Sequence, residues 1–181
     1  MKRSTGITLA VALMMICGYA SAFTLAQYNY WHFTLSQSKR NSAILTAAYS
    51  QLGATGRCNC YTWASEMVSN ASAGVMQLPP PVPGSDSTLQ SNVWVQSRSY
   101  TNKAGTIPAI VNASVGQVVQ MRTLSKDGTW GPHTAIIHHF DVGGVTFINA
   151  NYDPKCQVAL YRMTWAYFNS HVTNYSIYVM G

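Results

Sequence analysis

Helical periodicity comes early in this chain and strand periodicity comes late. Apolar residues recur at helical spacing over residues 43–52 (Ile44, Leu45, Ala47, Ala48, Leu52), and the pattern stops at Gly53, a natural C-cap. A second stripe, Cys60, Trp63, Ala64, Met67, Val68 and Ala71, falls at i, i+3, i+4, i+7, i+8 and i+11, one face of a second helix. After residue 114 the period changes. Short β-branched and aromatic runs at 115–122, 134–140, 145–150, 157–163 and 175–180 predict roughly five strands, the first entered by a turn at Gly116. Helices followed by strands predict an α+β domain in which N-terminal helices pack on an antiparallel sheet.

The remaining segments are less regular. Residues 23–42 are aromatic and polar without clear period and read as an N-terminal arm or short helix. The run Leu78-Pro79-Pro80-Pro81-Val82-Pro83-Gly84 interrupts regular structure, so residues 69–114 read as a long surface excursion with one candidate strand or helix near 93–97. With 181 residues in all, the expectation is a single domain over 43–181. Charged residues make up 9%, against about 25% in an average soluble protein. That excludes a long coiled coil, an acidic tail and a surface laced with ion pairs.

The N-terminus has the form of an export leader. Lys2 and Arg3 precede an apolar run from Ile7 to Ile16, followed by Ala20-Ser21-Ala22, an A-x-A cleavage pattern. A signal peptide over residues 1–22, cut after Ala22, places the mature chain outside the cytoplasm, secreted or periplasmic. The apolar run is short for a membrane span, so no stable membrane insertion is expected after cleavage. Cleavage leaves nine Lys and Arg against five Asp and Glu, a net charge of +4. The basic residues are scattered, which argues against a nucleic-acid partner.

Cleavage also removes Cys17 and leaves Cys58, Cys60 and Cys156. An odd number in an oxidising compartment predicts one disulfide and one working thiol. No CxxC pair and no Cys/His set at zinc-ligand spacing is present, so a structural zinc is not expected. Cys60 opens the amphipathic stripe, and a thiol at a helix N-terminus feels partial positive charge that favours the thiolate. His133 follows Trp130-Gly131-Pro132 at the mouth of a strand, where a neutral imidazole can take a thiol proton. His138 and His139 compete for that role. They lie deeper in the strand, and of the two only His139 shares a face with His133.

The hairpin that follows supplies a third group. A two-residue loop would put His133 opposite Tyr152. A three-residue loop, Asp141-Val142-Gly143, has Gly where the left-handed residue of a bulged turn belongs. It pairs Ile137 with Phe147, Ala135 with Asn149 and His133 with Asn151, all on one face. An amide oxygen from Asn149 or Asn151 can then fix the tautomer and orientation of the imidazole.

These residues resemble the CHAP and NlpC/P60 group of papain-like cysteine hydrolases, which act on bacterial peptidoglycan. Cys60-Tyr61-Thr62-Trp63-Ala64 is similar to the group's nucleophile helix, with an aromatic three residues after Cys. Val115-Gly116-Gln117-Val118-Val119 is similar to the strand entry that precedes its His, with Gln117 in place of the usual Asp. Pro132-His133-Thr134-Ala135-Ile136-Ile137 and Phe147-Ile148-Asn149-Ala150-Asn151-Tyr152 are similar to its His strand and third-residue strand. The Tyr often found shortly before the nucleophile is replaced by Gly56-Arg57.

The resemblance covers about residues 43–152 and implies a papain-like fold and a secreted peptidase or amidase without cofactor. Its substrate would be a peptide or amide bond of the cell wall. Cys60 would be the nucleophile, because only it sets Trp63 at the aromatic position; Cys58 would then be free to pair with Cys156, a Cys58–Cys60 bridge being the alternative. His133 would be the base, and Asn149, with Asn151 beside it, would orient the base. Tyr61, Trp130 and Tyr152 would be groove walls. The same fold without chemistry, as a binding module, and a Cys-dependent acyltransferase are the competing readings.

Overall fold

The computed structural model describes residues 25–78, 95–101 and 108–180. The expected leader at 1–22 and most of the proline run lie outside the described residues. The described chain runs α1 (Leu25–Asn29), a π-helical turn (Tyr30–Thr34), α2 (Gln37–Tyr49), α3 (Cys60–Ala71) and β1 (Val95–Thr101). It continues through a 3-10 turn (Ala109–Asn112), β2 (Val118–Leu124), β3 (Trp130–Asp141), β4 (Gly144–Ala150), β5 (Val158–Thr164), α4 (Trp165–His171) and β6 (Val172–Met180). One sheet of order β1-β6-β2-β3-β4-β5 holds all six strands, and every pairing is antiparallel. This is the α+β architecture expected, with one strand more than the five read from periodicity. The sixth, β1, comes from the excursion, near the place where a strand or helix was expected. No helix among the described residues is long and apolar enough to cross a membrane.

Two helices start or appear where the sequence pattern is weak. α2 begins six residues before the periodicity does, with the Ser36 hydroxyl accepting the Lys39 N–H as N-cap. Its first turns include the buried Arg40, whose guanidinium donates to the carbonyls of Trp31 and Leu35 and so closes the preceding turn. α4, which no period announced, is a seven-residue helix capped by Thr164, whose hydroxyl accepts the Tyr167 N–H.

The sheet is covered on both faces. On one side, Ile44 and Ala48 of α2 and Trp63, Ala64, Met67 and Val68 of α3 pack on Val118, Ile136, Ile148 and Tyr178. On the other, Val119, Met121, Ala135, Ile137 and Phe147 meet Phe168 of α4, Ile110 and Tyr175. Double coverage explains why Val118-Val119 and Ala135-Ile136-Ile137 are continuous apolar runs, all fully buried. Each large side chain in these layers contributes on the order of 1.5–3 kcal/mol by leaving water.

Gly116 fixes how α2 meets the sheet. Its φ is +85°, and a Cβ there would lie 2.2 Å from the Asn41 carbonyl oxygen. Only glycine permits both the left-handed turn and that approach. The Gly116 N–H bonds Ile137 O at 2.7 Å, and the Gln117 side-chain oxygen accepts the Ser114 N–H at 2.9 Å, which closes the turn into β2.

Candidate active site

α3 begins at Cys60. The Asn59 side-chain oxygen accepts the Thr62 N–H at 2.9 Å, so the helix is capped immediately before the thiol. The apolar stripe then turns Trp63, Ala64, Met67 and Val68 into the core and leaves Cys60 half-buried at the helix head. Cys58 is bonded to Cys156, 98 residues away, and Cys60 is the free cysteine among the described residues.

His133 sits near the start of β3, paired with Met121 of β2. On the other side of β3, β4 ends at Ala150, and Asn151 turns away with a φ of 58°. The last pair of that ladder is Ala135–Asn149. Beyond it the Thr134 N–H has no strand to bond. The Cys60 sulfur accepts it at 3.4 Å. The thiol therefore stands in line with the end of β4, against the peptide that joins His133 to Thr134.

His133, Ala135 and Ile137 share a sheet face with Asn149 and Phe147. Ile137–Phe147 and Ala135–Asn149 pair as expected, whereas the expected His133–Asn151 pair does not form, and the register is reached by another route. The turn is a two-residue loop, Val142-Gly143, since Asp141 pairs with Gly144. An extra residue, His138, then shifts the register between Ile137 and His139. Without that bulge Asn149 would face Ile136 and the helices.

His133 is 4% exposed, and burial pushes its imidazole down to about 3, so it is neutral at physiological pH. The Tyr152 ring lies 4.6 Å from the His133 ring, centre to centre, and helps to seal it. Asn149 is also buried. Its nitrogen approaches Ala159 O at 3.4 Å, and its oxygen is buried without a hydrogen-bond partner. As the diagonal neighbour of His133 on the same face, it is within side-chain reach of the ring.

The other candidates separate. Asn151 does not turn its amide to the imidazole: its nitrogen donates to Cys58 O at 2.6 Å and its oxygen accepts the Cys156 N–H at 3.1 Å. His138 contacts Tyr49 of α2, and neither it nor His139 reaches the cleft around Cys60. Trp130 is 39% exposed and lies outside the cleft lining.

The cleft itself has a volume of about 470 Å³ and joins Cys60, His133, Tyr152, Tyr161 and Tyr167. An ion pair crosses its rim, Lys126 to Asp153 at 2.6 Å. A smaller hollow of about 230 Å³ that shares Cys60 with the cleft is lined by Tyr61, Asn59 and Thr134. The Tyr61 hydroxyl is tied to Leu78 O at 2.9 Å. Tyr161 and Tyr167 escaped the sequence reading because β5 and α4 deliver them from far along the chain. Their aromatic type was the only signal, and it equally fits packing. Among the described residues no cluster of three or more His, Cys, Asp or Glu could hold a metal ion.

No protein-family model matches the sequence, and no curated protein matches it. Solved structures do. PlyC superposes with a TM-score of 0.51 at 17% identity, over 93% of this chain and 44% of PlyC. The chain shares its fold with PlyC. Ly7917 with the hydrolyzing product of MDP aligns at 19% identity and a TM-score of 0.49, over 75% of this chain and 61% of Ly7917. The chain thus spans less than two thirds of the length of either neighbour. The shared fold agrees with the α+β class expected from the order of elements.

Proposed function

We propose that this chain is a secreted papain-like cysteine hydrolase of the CHAP or NlpC/P60 type, a peptidase or amidase of the bacterial cell wall. The observation that carries this reading is the 3.4 Å contact between the Cys60 sulfur and the Thr134 N–H, which brings the free thiol to the strand of His133. The wall substrate follows from the resemblance of the sequence motifs, and the fold shared with PlyC is compatible with it.

The chemistry is acyl transfer. Neutral His133 takes the thiol proton as the Cys60 sulfur attacks the carbonyl carbon of an amide. The oxyanion is bonded by N–H groups in the first turn of α3, where Thr62 is already taken by Asn59 and the N–H groups of Cys60 and Tyr61 come next. Collapse breaks the C–N bond, and the imidazolium returns its proton to the leaving amine. Water, deprotonated by His133, then hydrolyses the thioester and frees the sulfur. Asn149 offers its buried oxygen to the ring N–H during the steps in which the ring is charged. Because burial disfavours the imidazolium, His133 rests neutral, and its charge appears only as the reaction proceeds.

The test is hydrolysis of purified wall material by Cys60→Ala and His133→Ala, with folding checked by circular dichroism. Each is expected to lose at least about 10³-fold in rate. Wild-type rates in either folded variant would overturn the proposal. Product analysis with added amine separates hydrolysis from acyl transfer to that amine.

A further inference from the structure

Resting on the hydrolase reading, we infer that Asn151 and the Cys58–Cys156 disulfide form a brace that positions Cys60 against His133. Asn151 therefore works on the loop of the nucleophile and not on the imidazole.

The brace is built from both sides. Cys58 stands two residues before Cys60, separated from it only by the cap residue Asn59. Its sulfur is bonded to Cys156. A disulfide alone fixes the sulfur and leaves the peptide after Cys58 free to turn. Asn151 removes that freedom, because its amide nitrogen holds Cys58 O at 2.6 Å while its oxygen holds the Cys156 N–H at 3.1 Å. The Arg57 N–H adds a bond to Cys156 O at 3.1 Å. Segment 57–58 is thus tied to Cys156 directly by two bonds and through Asn151 by a third path.

The same loop controls the histidine side. It leaves β4 at Asn151, and its next residue, Tyr152, lies against the His133 ring. Asp153 is paired with Lys126 across the cleft rim. One loop therefore touches the His133 ring and, at Cys58, the segment that leads into Cys60, with Asn151 at its start.

The residue type follows from the job. Asn151 has a φ of 58°, in the left-handed region, where asparagine is among the few side chains tolerated. It must also donate to a carbonyl and accept from an N–H. Aspartate fits the backbone but has no donor. Glutamine has both groups but is less suited to that φ.

The experiment uses Asn151→Gly, which keeps the left-handed backbone and deletes both amide bonds, and Asn151→Asp, which deletes only the bond to Cys58. Steady-state kinetics are measured on soluble fragments of purified peptidoglycan. Alkylation of Cys60 by iodoacetamide is followed between about pH 5 and 9, and thermal melting reports folding. For Asn151→Gly we expect kcat to fall on the order of 10²-fold, as for a misplacement of about 1 Å, with KM changed less than about threefold. The pH profile of alkylation should change with it, and Asn151→Asp should fall between. The double variant Cys58→Ala/Cys156→Ala should show the same split, and it carries the test if Asn151→Gly does not fold. Wild-type kcat in these variants overturns the brace. So does a loss of kcat with an unchanged alkylation profile, which would return Asn151 to the imidazole. Full hydrolysis by Cys60→Ala would instead sink the hydrolase reading, and the alkylation profile would still decide the brace.

Discussion

The Thr134 N–H donates to the Cys60 sulfur across 3.4 Å, joining residues 74 positions apart. The contact exists because β3 runs past the end of β4 and leaves a backbone donor unpaired on that side. A buried N–H without a partner is costly, so the thiol at the helix head completes the sheet as well as facing the cleft. Stability and placement of the Cys60 thiol are coupled at this point.

Asn149 should matter through its oxygen. Asn149→Ala removes the acceptor beside His133 and is expected to lower kcat by about 10- to 100-fold with the protein folded. Asn149→Asp keeps an acceptor and adds charge that favours the imidazolium, so the acid limb of its pH–rate profile should move upward. Equal profiles for wild type and the Asp variant would remove Asn149 from the mechanism.

Burial of His133 predicts acid sensitivity. The unfolded chain takes up the imidazole proton near 6.5, whereas the folded chain does so only near 3. The unfolded state therefore binds more protons between those values. Stability is full above about pH 6.5 and drains as pH falls toward 3, by at most roughly 5 kcal/mol. Urea melts at neutral pH and at about pH 4 should show this fall in wild type and a smaller one in His133→Gln. A variant as acid-sensitive as wild type would show that the loss lies elsewhere.

Tyr152 seals that burial. Tyr152→Ala admits water to the ring and should raise the His133 pKa toward its ordinary value, moving the acid limb of kcat/KM upward by about one pH unit or more. Tyr152→Phe keeps the ring and should leave the limb in place. NMR titration of the imidazole checks both variants directly.

Gly116 carries the junction between α2 and the sheet. Gly116→Ala sets a methyl against the Asn41 carbonyl in a left-handed turn. The clash and the backbone strain together should cost about 2–4 kcal/mol, read as a lowered denaturation midpoint. A loss below about 0.5 kcal/mol would mean that the α2 contact is soft.

Much of this was legible from residue order, and what was not has physical causes. The stripe from Cys60 to Ala71 gave α3 at its true start, because a buried helix face writes its period into the sequence. The start of α2 was hidden, because Arg40 and Asn41 are polar residues buried by local contacts. α4 was hidden because Trp165, Tyr167 and Phe168 are as common in strands as in helices, and its start depends on the Thr164 cap. The pairing of Ala135 with Asn149 was read correctly from a wrong turn, since the bulge at His138 offsets the shorter loop. Asn151 is grouped with Asn149 by the hairpin register and the motif resemblance. Its left-handed φ and its ties to Cys58 and Cys156 depend on a loop that no period describes.

The extra residue at His138 works as a vernier for the hairpin. A change of one residue at the Val142-Gly143 tip would otherwise slide the ladder and turn Asn149 to the opposite side of the sheet. With one extra residue midway along β3, a tip one residue longer would leave the spacing near Cys60 unchanged once the bulge closed. The tip and the bulge thus offset one another, and together they decide which side of the sheet Asn149 faces.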